Sequence, residues 1–297
     1  MATRVPAKAA PAGWEDCFWW SNDGVRLHAR RYAAIDPAPD ALPLLCLPGL
    51  TRNARDFDRL APHLAQRRTV YAVEFRGRGE SGYAKDALTY VPLTYVQDVM
   101  ALLQSEGITR FVSVGTSLGG IVTMLLGAMH PDRLAAAVLN DIGPEIAAEG
   151  LERIRGYVGA AASYPTWVHA ARAIALPNAG VYPDWRLEDW LVMAKRTHRI
   201  TREGRIIPDY DANIAQPFRV PGGESGGDLW PAFDALKAIP ILSLRGERSD
   251  ILAPATVKAM AKRHPGLATA TIARTGHAPT LDEPEAVAAI DALLAKL

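Results

Sequence analysis

Across 297 residues, 33 lysines and arginines stand against 32 aspartates and glutamates, giving a formal net charge of +1, and 49% of the chain is hydrophobic. That balance lacks the basic surface a nucleic-acid partner would require and gives no reason to expect an acidic membrane as partner. The length suits one large core, read as a single α/β domain carrying an insertion.

Residues 1–13 are rich in Ala and Pro and lack the apolar segment of a secretory signal, so a flexible N-terminal tail is expected. No uninterrupted apolar run is long enough to span a bilayer, and a cytoplasmic location follows by default. The two cysteines, Cys17 and Cys46, have no metal-like or redox-like spacing, and both are expected reduced.

In chain order, runs around Cys17–Ser21 and Val25–Tyr32 flank Asn22-Asp23-Gly24, a turn sequence that predicts an opening antiparallel hairpin. Pro43–Leu47 then reads as a strand, Asp56–Gln66 as a helix, Val70–Phe75 as a strand and Leu93–Ser105 as a helix. Phe111–Val114, Leu118–Met129 and Ala135–Leu139 continue the strand–helix–strand alternation of a mostly parallel, helix-covered sheet.

From about Gly143 to Asp228 the alternation stops. Pro and Gly breaks and a concentration of aromatics (Tyr157, Tyr164, Trp167, Tyr182, Trp185, Trp190, Tyr210 and Phe218) replace it. The rhythm resumes with strand Ile239–Arg245, helix Pro254–Arg263, strand Ala268–Ala273 and helix Pro284–Lys296. An interruption between two stretches of one sheet predicts an inserted helical cap over 144–228, with the α/β core formed by 14–143 and 229–297.

The chemistry concentrates where strand Phe111–Val114 runs into Gly115-Thr116-Ser117-Leu118-Gly119 and then into a helix. Glycines at both flanks permit a sharp turn that would hold Ser117 with its hydroxyl exposed, and the helix start directs free amides at the same place. A serine hydroxyl is a weak nucleophile at neutral pH and requires a neighbouring base. Of seven histidines, His277 is the candidate, because Thr275-Gly276-His277-Ala278-Pro279 lies between the last predicted strand and the last helix.

The oxyanion formed on attack needs donors fixed in advance. The Leu118 amide follows the nucleophile directly, and Pro48-Gly49-Leu50-Thr51-Arg52 after the strand Pro43–Leu47 offers the Leu50 amide as the second. Two aspartates at strand ends fall between Ser117 and His277 and could orient the histidine. Asp250, reached through Gly246-Glu247-Arg248-Ser249, is expected to be the triad acid, and Asp141, directly after Ala135–Leu139, is the alternative. No pair of histidines has ligand spacing, so no metal is expected.

With these residues in place, the chain resembles the α/β-hydrolase superfamily along nearly its whole length. The resemblance rests on Gly115-Thr116-Ser117-Leu118-Gly119-Gly120, Phe75-Arg76-Gly77-Arg78-Gly79-Glu80-Ser81, Arg245-Gly246-Glu247-Arg248-Ser249-Asp250 and Gly276-His277, in the family's order Ser, Asp, His. It implies an eight-stranded sheet, a cap over the site, and hydrolysis of small-molecule esters or lactones through an acyl-enzyme without a cofactor. Two positions depart from the pattern: Pro48-Gly49 stands where many relatives carry His-Gly, and Glu74 stands where aspartate is usual. A serine nucleophile argues against haloalkane dehalogenase or epoxide hydrolase chemistry, which uses a carboxylate.

Related chains also cleave carbon–carbon bonds of diketone-like ring-cleavage products, and a non-catalytic binder on the same fold is a further alternative. Arg52, beside the oxyanion loop, is the candidate for holding a substrate carboxylate, while the basic stretch Lys195-Arg196-Thr197-His198-Arg199 with Arg202 and Arg205 reads as a solvated face. Trp167, Trp185 and Trp190 are expected to line an apolar substrate pocket, or else to form the cap's own small core. The oligomeric state has no signature in the sequence.

Overall fold

The computed structural model describes residues 13–160, 162–217 and 228–297. Apart from Gly13, the expected N-terminal tail lies outside these residues, as does Phe218.

Strands β1 (Glu15–Trp20) and β2 (Arg26–Tyr32) form the opening antiparallel hairpin, closed where the Ser21 amide donates to the Val25 carbonyl at 2.9 Å. Their partners follow as β3 (Leu44–Leu47), β4 (Val70–Glu74), β5 (Phe111–Thr116), β6 (Leu134–Asn140), and, after a long excursion, β9 (Ile241–Gly246) and β10 (Leu267–Ile272). The excursion contains the two-stranded hairpin β7 (His198–Ile200) and β8 (Ile206–Pro208). The eight-stranded sheet runs β1-β2-β4-β3-β5-β6-β9-β10, parallel from β4 onward. Strands β3 to β6 are buried along almost their whole length, which is what a parallel sheet covered on both faces demands of its sequence.

The period of two along each strand divides the core. Leu45 and Leu47 of β3 join helices α2 (Pro92–Ser105), α3 (Leu118–Met129) and α7 (Trp230–Asp234) on one face. Leu44 and Cys46 join α1 (Leu60–Leu64) and α9 (Pro284–Leu294) on the other. Helix α8 (Pro254–Arg263) packs beside β10. Both cysteines are free and buried.

The helix expected over Asp56–Gln66 is divided into a 3-10 turn, Ala54–Phe57, and the short α1. Asn53 caps the turn by accepting the Arg55 amide at 3.0 Å. Pro62, which has no amide, fits only within the first turn of a new helix, where amides lack intrahelical partners in any case.

Between β6 and α7 lie α4 (Ala148–Tyr157), α5 (Trp167–Asn178), α6 (Leu187–Thr197) and the β7–β8 hairpin. This inserted segment is tied to the sheet at named points. Asn53 Nδ2 donates to the Arg196 carbonyl at 3.0 Å, Arg55 Nη2 to Asp209 Oδ2 at 2.5 Å, and the Asp211 amide to the Gly77 carbonyl at 2.7 Å. Among the described residues no helix is long and apolar enough to cross a membrane.

Two buried ionic clusters brace the antiparallel side. Arg76, 1% exposed, makes paired hydrogen bonds to Asp98 (both 2.7 Å) and to Asp23 (2.7 and 2.9 Å). The Glu74 carboxylate accepts the His28 Nδ1 proton (2.9 Å), the Ala54 amide (3.2 Å) and the Glu80 amide (2.6 Å), joining three segments. Asp16 takes the other His28 nitrogen at 2.8 Å, and although burial opposes a charged imidazole, the Glu74 and Asp16 carboxylates raise its pKa.

Helix α3 crosses the sheet so closely that a Cβ on Gly119 would lie 2.0 Å from the Leu47 carbonyl oxygen. Because the obstacle is β3 backbone, Gly119→Ala is expected to destabilise the fold by at least about 1–3 kcal/mol. Thermal unfolding checks this, and a variant that melts with wild type contradicts the close crossing.

Candidate active site

Ser117 joins β5 to α3 with φ 52° and ψ −115°, a left-handed conformation that a side chain normally avoids. Its amide donates to the Asn140 carbonyl at 3.0 Å, and its own carbonyl accepts the Gly120 and Ile121 amides, so the turn is locked to β6 on one side and to α3 on the other. A Cβ on Gly115 would meet the Gly119 carbonyl oxygen at 2.4 Å, which is why the turn tolerates no side chain at that flank.

His277, on the loop between β10 and α9, brings Nε2 to 2.9 Å from Ser117 Oγ. Its Nδ1 lies 2.7 Å from Asp141 Oδ2. A carboxylate can only accept, so Nδ1 carries the proton and Nε2 presents its lone pair to the serine hydroxyl.

Asp141 follows β6 directly, itself at φ 56°, and is fully buried. The Gly246 amide donates to Oδ1 at 2.8 Å and Ser249 Oγ to Oδ2 at 2.6 Å. Ser249 Oγ also accepts the Ile251 and Leu252 amides (3.2 and 3.0 Å), which leaves its hydroxyl proton for Asp141.

Asn140 fixes the same assembly from behind. Its Nδ2 donates to Thr116 Oγ1 at 3.0 Å and to the Pro279 carbonyl at 2.9 Å, tying the residue before Ser117 to the loop that carries His277.

A cavity of about 110 Å³ opens over Ser117 and His277, enough for a short chain rather than one water. The loop after β3, from Gly49 to Arg52, forms one wall, with Gly49 close enough that a Cβ there would lie 3.8 Å from Ser117 Cβ. Among the described residues no acceptor takes the amides of Leu50 or Leu118. The Leu50 carbonyl is held from below by Arg78 Nε at 2.8 Å. Ile154 and Tyr157 of α4, with Tyr182, form the opposite wall.

The profile of the alpha/beta hydrolase family matches residues 44–290, a span that contains every residue just described. The chain belongs to this family. A 3-hydroxybutyrate-oligomer hydrolase of Cupriavidus necator is 31% identical over 261 residues, covering 85% of this chain and 88% of its own. A 2-(acetamidomethylene)succinate hydrolase of Mesorhizobium japonicum is 28% identical over 243 residues, 82% of this chain and 84% of its own. The crystal structure of an alpha/beta hydrolase from Novosphingobium aromaticivorans superposes with a TM-score of 0.92 at 55% identity, over 97% of this chain and 100% of that one.

In this alpha/beta hydrolase, Ser117 and His277 meet as the sequence leads one to expect, whereas Asp250 does not reach the histidine's hydrogen bond. Its carboxylate is engaged by Arg153 of α4, with Nε to Oδ2 at 2.5 Å and Nη2 to Oδ1 at 2.9 Å. Burial pushes the Asp250 pKa up, but the Arg153 hydrogen bonds and charge pull it down further, for a net lowering. The aspartate facing His277 is Asp141, because the left-handed residue at the end of β6 turns that carboxylate to the imidazole while Ser249 and the Gly246 amide clamp it there.

Arg52 lines the cavity and is paired with Asp56, Nε to Oδ2 at 2.8 Å and Nη2 to Oδ1 at 2.7 Å. Burial disfavours its charge, yet the Asp56 carboxylate raises its pKa above the ordinary arginine value. The three tryptophans are placed otherwise than a substrate pocket would require: none lines the cavity over Ser117. Trp190 packs with Ala170, Ala171 and Met193, and Trp167 and Trp185 pack against that cluster, so they build a core between α5 and α6. Of the basic stretch, Arg196 bonds Asp282 at 2.7 Å and Arg199 lies 3.4 Å from Asp209, both away from the cavity.

Sequence reasoning passed over Tyr182 as a site residue. It stacks on Trp185 at 3.9 Å and donates its hydroxyl to the Ala278 carbonyl at 2.6 Å, one residue beyond His277. It was visible only as one aromatic among eight, because contact with the histidine loop is a tertiary property.

His198 has its pKa lowered from the ordinary 6.5 to about 4 by burial and by the positive charges of Arg52 and Arg55. The fold therefore favours the neutral imidazole, and the stability this contributes is present above 6.5 and lost as pH falls towards about 4. His28, with its raised pKa, works in the opposite sense and loses its contribution only as pH rises through that value. His198→Gln is expected to flatten the fall in Tm on acidification from pH 6.5 to about 4. Parallel Tm–pH curves for the two proteins would remove His198 from this role.

Proposed function

We propose that the protein hydrolyses carboxylic esters through an acyl-enzyme on Ser117, with His277 as general base and Asp141, in place of the expected Asp250, as the group that orients it. The observation that carries this reading is the continuous hydrogen-bonded line from Ser117 Oγ through both His277 nitrogens to Asp141, at 2.9 and 2.7 Å. As Oγ attacks the ester carbonyl, His277 Nε2 takes the serine proton, and the buried carboxylate stabilises the imidazolium that forms. The tetrahedral oxyanion is received by the Leu50 and Leu118 amides, aided by the positive end of α3. Collapse expels the alcohol, which recovers the proton from Nε2, and water activated by the same nitrogen then releases the acid.

The inserted segment serves as a cap whose α4 closes the far wall of the cavity. No cofactor enters this scheme. The named relative from Cupriavidus necator supports an ester substrate, since the units of a hydroxy-acid oligomer are joined by ester bonds. A small-molecule ester or lactone fits a cavity of about 110 Å³, and nothing in the scheme calls for nucleic acid, metal or membrane.

Ser117→Ala is expected to abolish hydrolysis of short aryl esters, and a fluorophosphonate is expected to label wild type at Ser117 alone. Asp141→Asn keeps the shape and removes the charge. The loss expected is on the order of 10⁴-fold in kcat, the size of the equivalent change in serine proteases. Asp250→Asn is expected to be mild by comparison, since it weakens a tether to α4 instead. Steady-state kinetics of the two variants decide the assignment, and the reverse ranking returns the role to Asp250.

A further inference from the structure

Arg52 is the one lysine or arginine, and Asp56 the one carboxylate, among the described residues lining the cavity over Ser117. An ion pair in this half-enclosed wall of mixed polar and apolar groups gains little for stability once desolvation is counted. Its geometry suits another task. Asp56 takes one edge of the guanidinium, through Nε and Nη2. Arginine has five N–H donors in a rigid plane, so the Nη1 side and the second Nη2 proton are left, and among the described residues no acceptor takes Nη1. Asp56 thus fixes the plane of the fork without occupying its second edge.

Position relative to the nucleophile completes the argument. The absent side chain of Gly49 would lie 3.3 Å from Arg52 Cγ and 3.8 Å from Ser117 Cβ, so the arginine stem and the serine flank the same point of the oxyanion loop. Arg52 lines the same cavity as Ser117 and His277.

Resting on the esterase reading above, we propose that Arg52 recognises a carboxylate carried by the substrate a few bonds from the scissile ester, making half-esters and oligo-esters with a free acid end the preferred class. The pair Arg52–Asp56 keeps the empty cavity near neutral, and a monoanionic substrate brings the second carboxylate that the fork can accept bidentately. A neutral ester of the same length leaves that edge to water.

The test compares the phenyl half-ester of succinate with phenyl pentanoate, which replaces the carboxylate by an apolar end. Binding is read first, by calorimetry on full-length Ser117→Ala protein, so that the result does not depend on turnover. The half-ester is expected to bind about ten- to a hundredfold more tightly, the range of a charge-assisted hydrogen-bonded pair, and the preference is expected to vanish when Arg52→Gln is added. In protein with Ser117 intact, the ratio of kcat/KM for the two esters is expected to fall by a similar factor on Arg52→Gln, with Arg52→Lys restoring only part of it. Equal binding of the two esters, or a preference that survives loss of Arg52, overturns the proposal. Selective binding without hydrolysis of either ester by wild type would support the carboxylate site and overturn the esterase reading instead.

Discussion

The left-handed backbone at Ser117 is the constraint around which the rest of the molecule is arranged. A non-glycine residue held there costs on the order of 1–3 kcal/mol and persists only where its surroundings over-determine it. Here they do so by closeness. Helix α3 approaches β3 until Gly119 nearly touches the Leu47 carbonyl, Gly115 faces Gly119, and the Asn140 carbonyl takes the serine amide. The same approach sets the start of α3 against the loop that follows β3, where Gly49 comes close to Ser117.

Two aspartates near one histidine illustrate how burial sorts similar groups into different tasks. A carboxylate without water needs hydrogen-bond donors. Asp141 finds them in the Gly246 amide, the Ser249 hydroxyl and the His277 Nδ1–H. Asp250 finds a full positive charge on Arg153, and that pairing commits it to fastening α4. The serine between them in sequence, Ser249, is what separates their fates: its oxygen binds two amides of its own loop and passes its proton inward to Asp141.

Residues just behind the cavity wall join the inserted segment to the core. Asn53 and Arg55, just beyond the loop that follows β3, both hold the Arg196 carbonyl near the end of α6, and Glu74 draws the Ala54 amide and His28 together. Tyr182 bonds the histidine loop from above. The segment after β3 and the loop that carries His277 are therefore each braced by side chains from other parts of the chain.

The alternation of buried runs and amphipathic stretches in the sequence by itself determined the order of strands and helices, the hairpin at the start and the excursion after β6, because periodicities of two and of 3.6 residues are local properties. It likewise singled out Ser117 and His277, whose side chains meet in the structure: glycines around a serine between strand and helix, and a histidine on the last strand-to-helix loop, are local patterns. Helix boundaries shifted where a single side chain intervened, as when Asn53 and Pro62 divided the expected Asp56–Gln66 helix into a 3-10 turn and α1. Only the tertiary structure decided between Asp141 and Asp250, moved Trp167, Trp185 and Trp190 into a core of their own, and brought Tyr182 to the histidine loop. Those outcomes turn on where a carboxylate or a ring points after residues more than a hundred positions apart, or on separate helices, have packed, and no local pattern carries that direction.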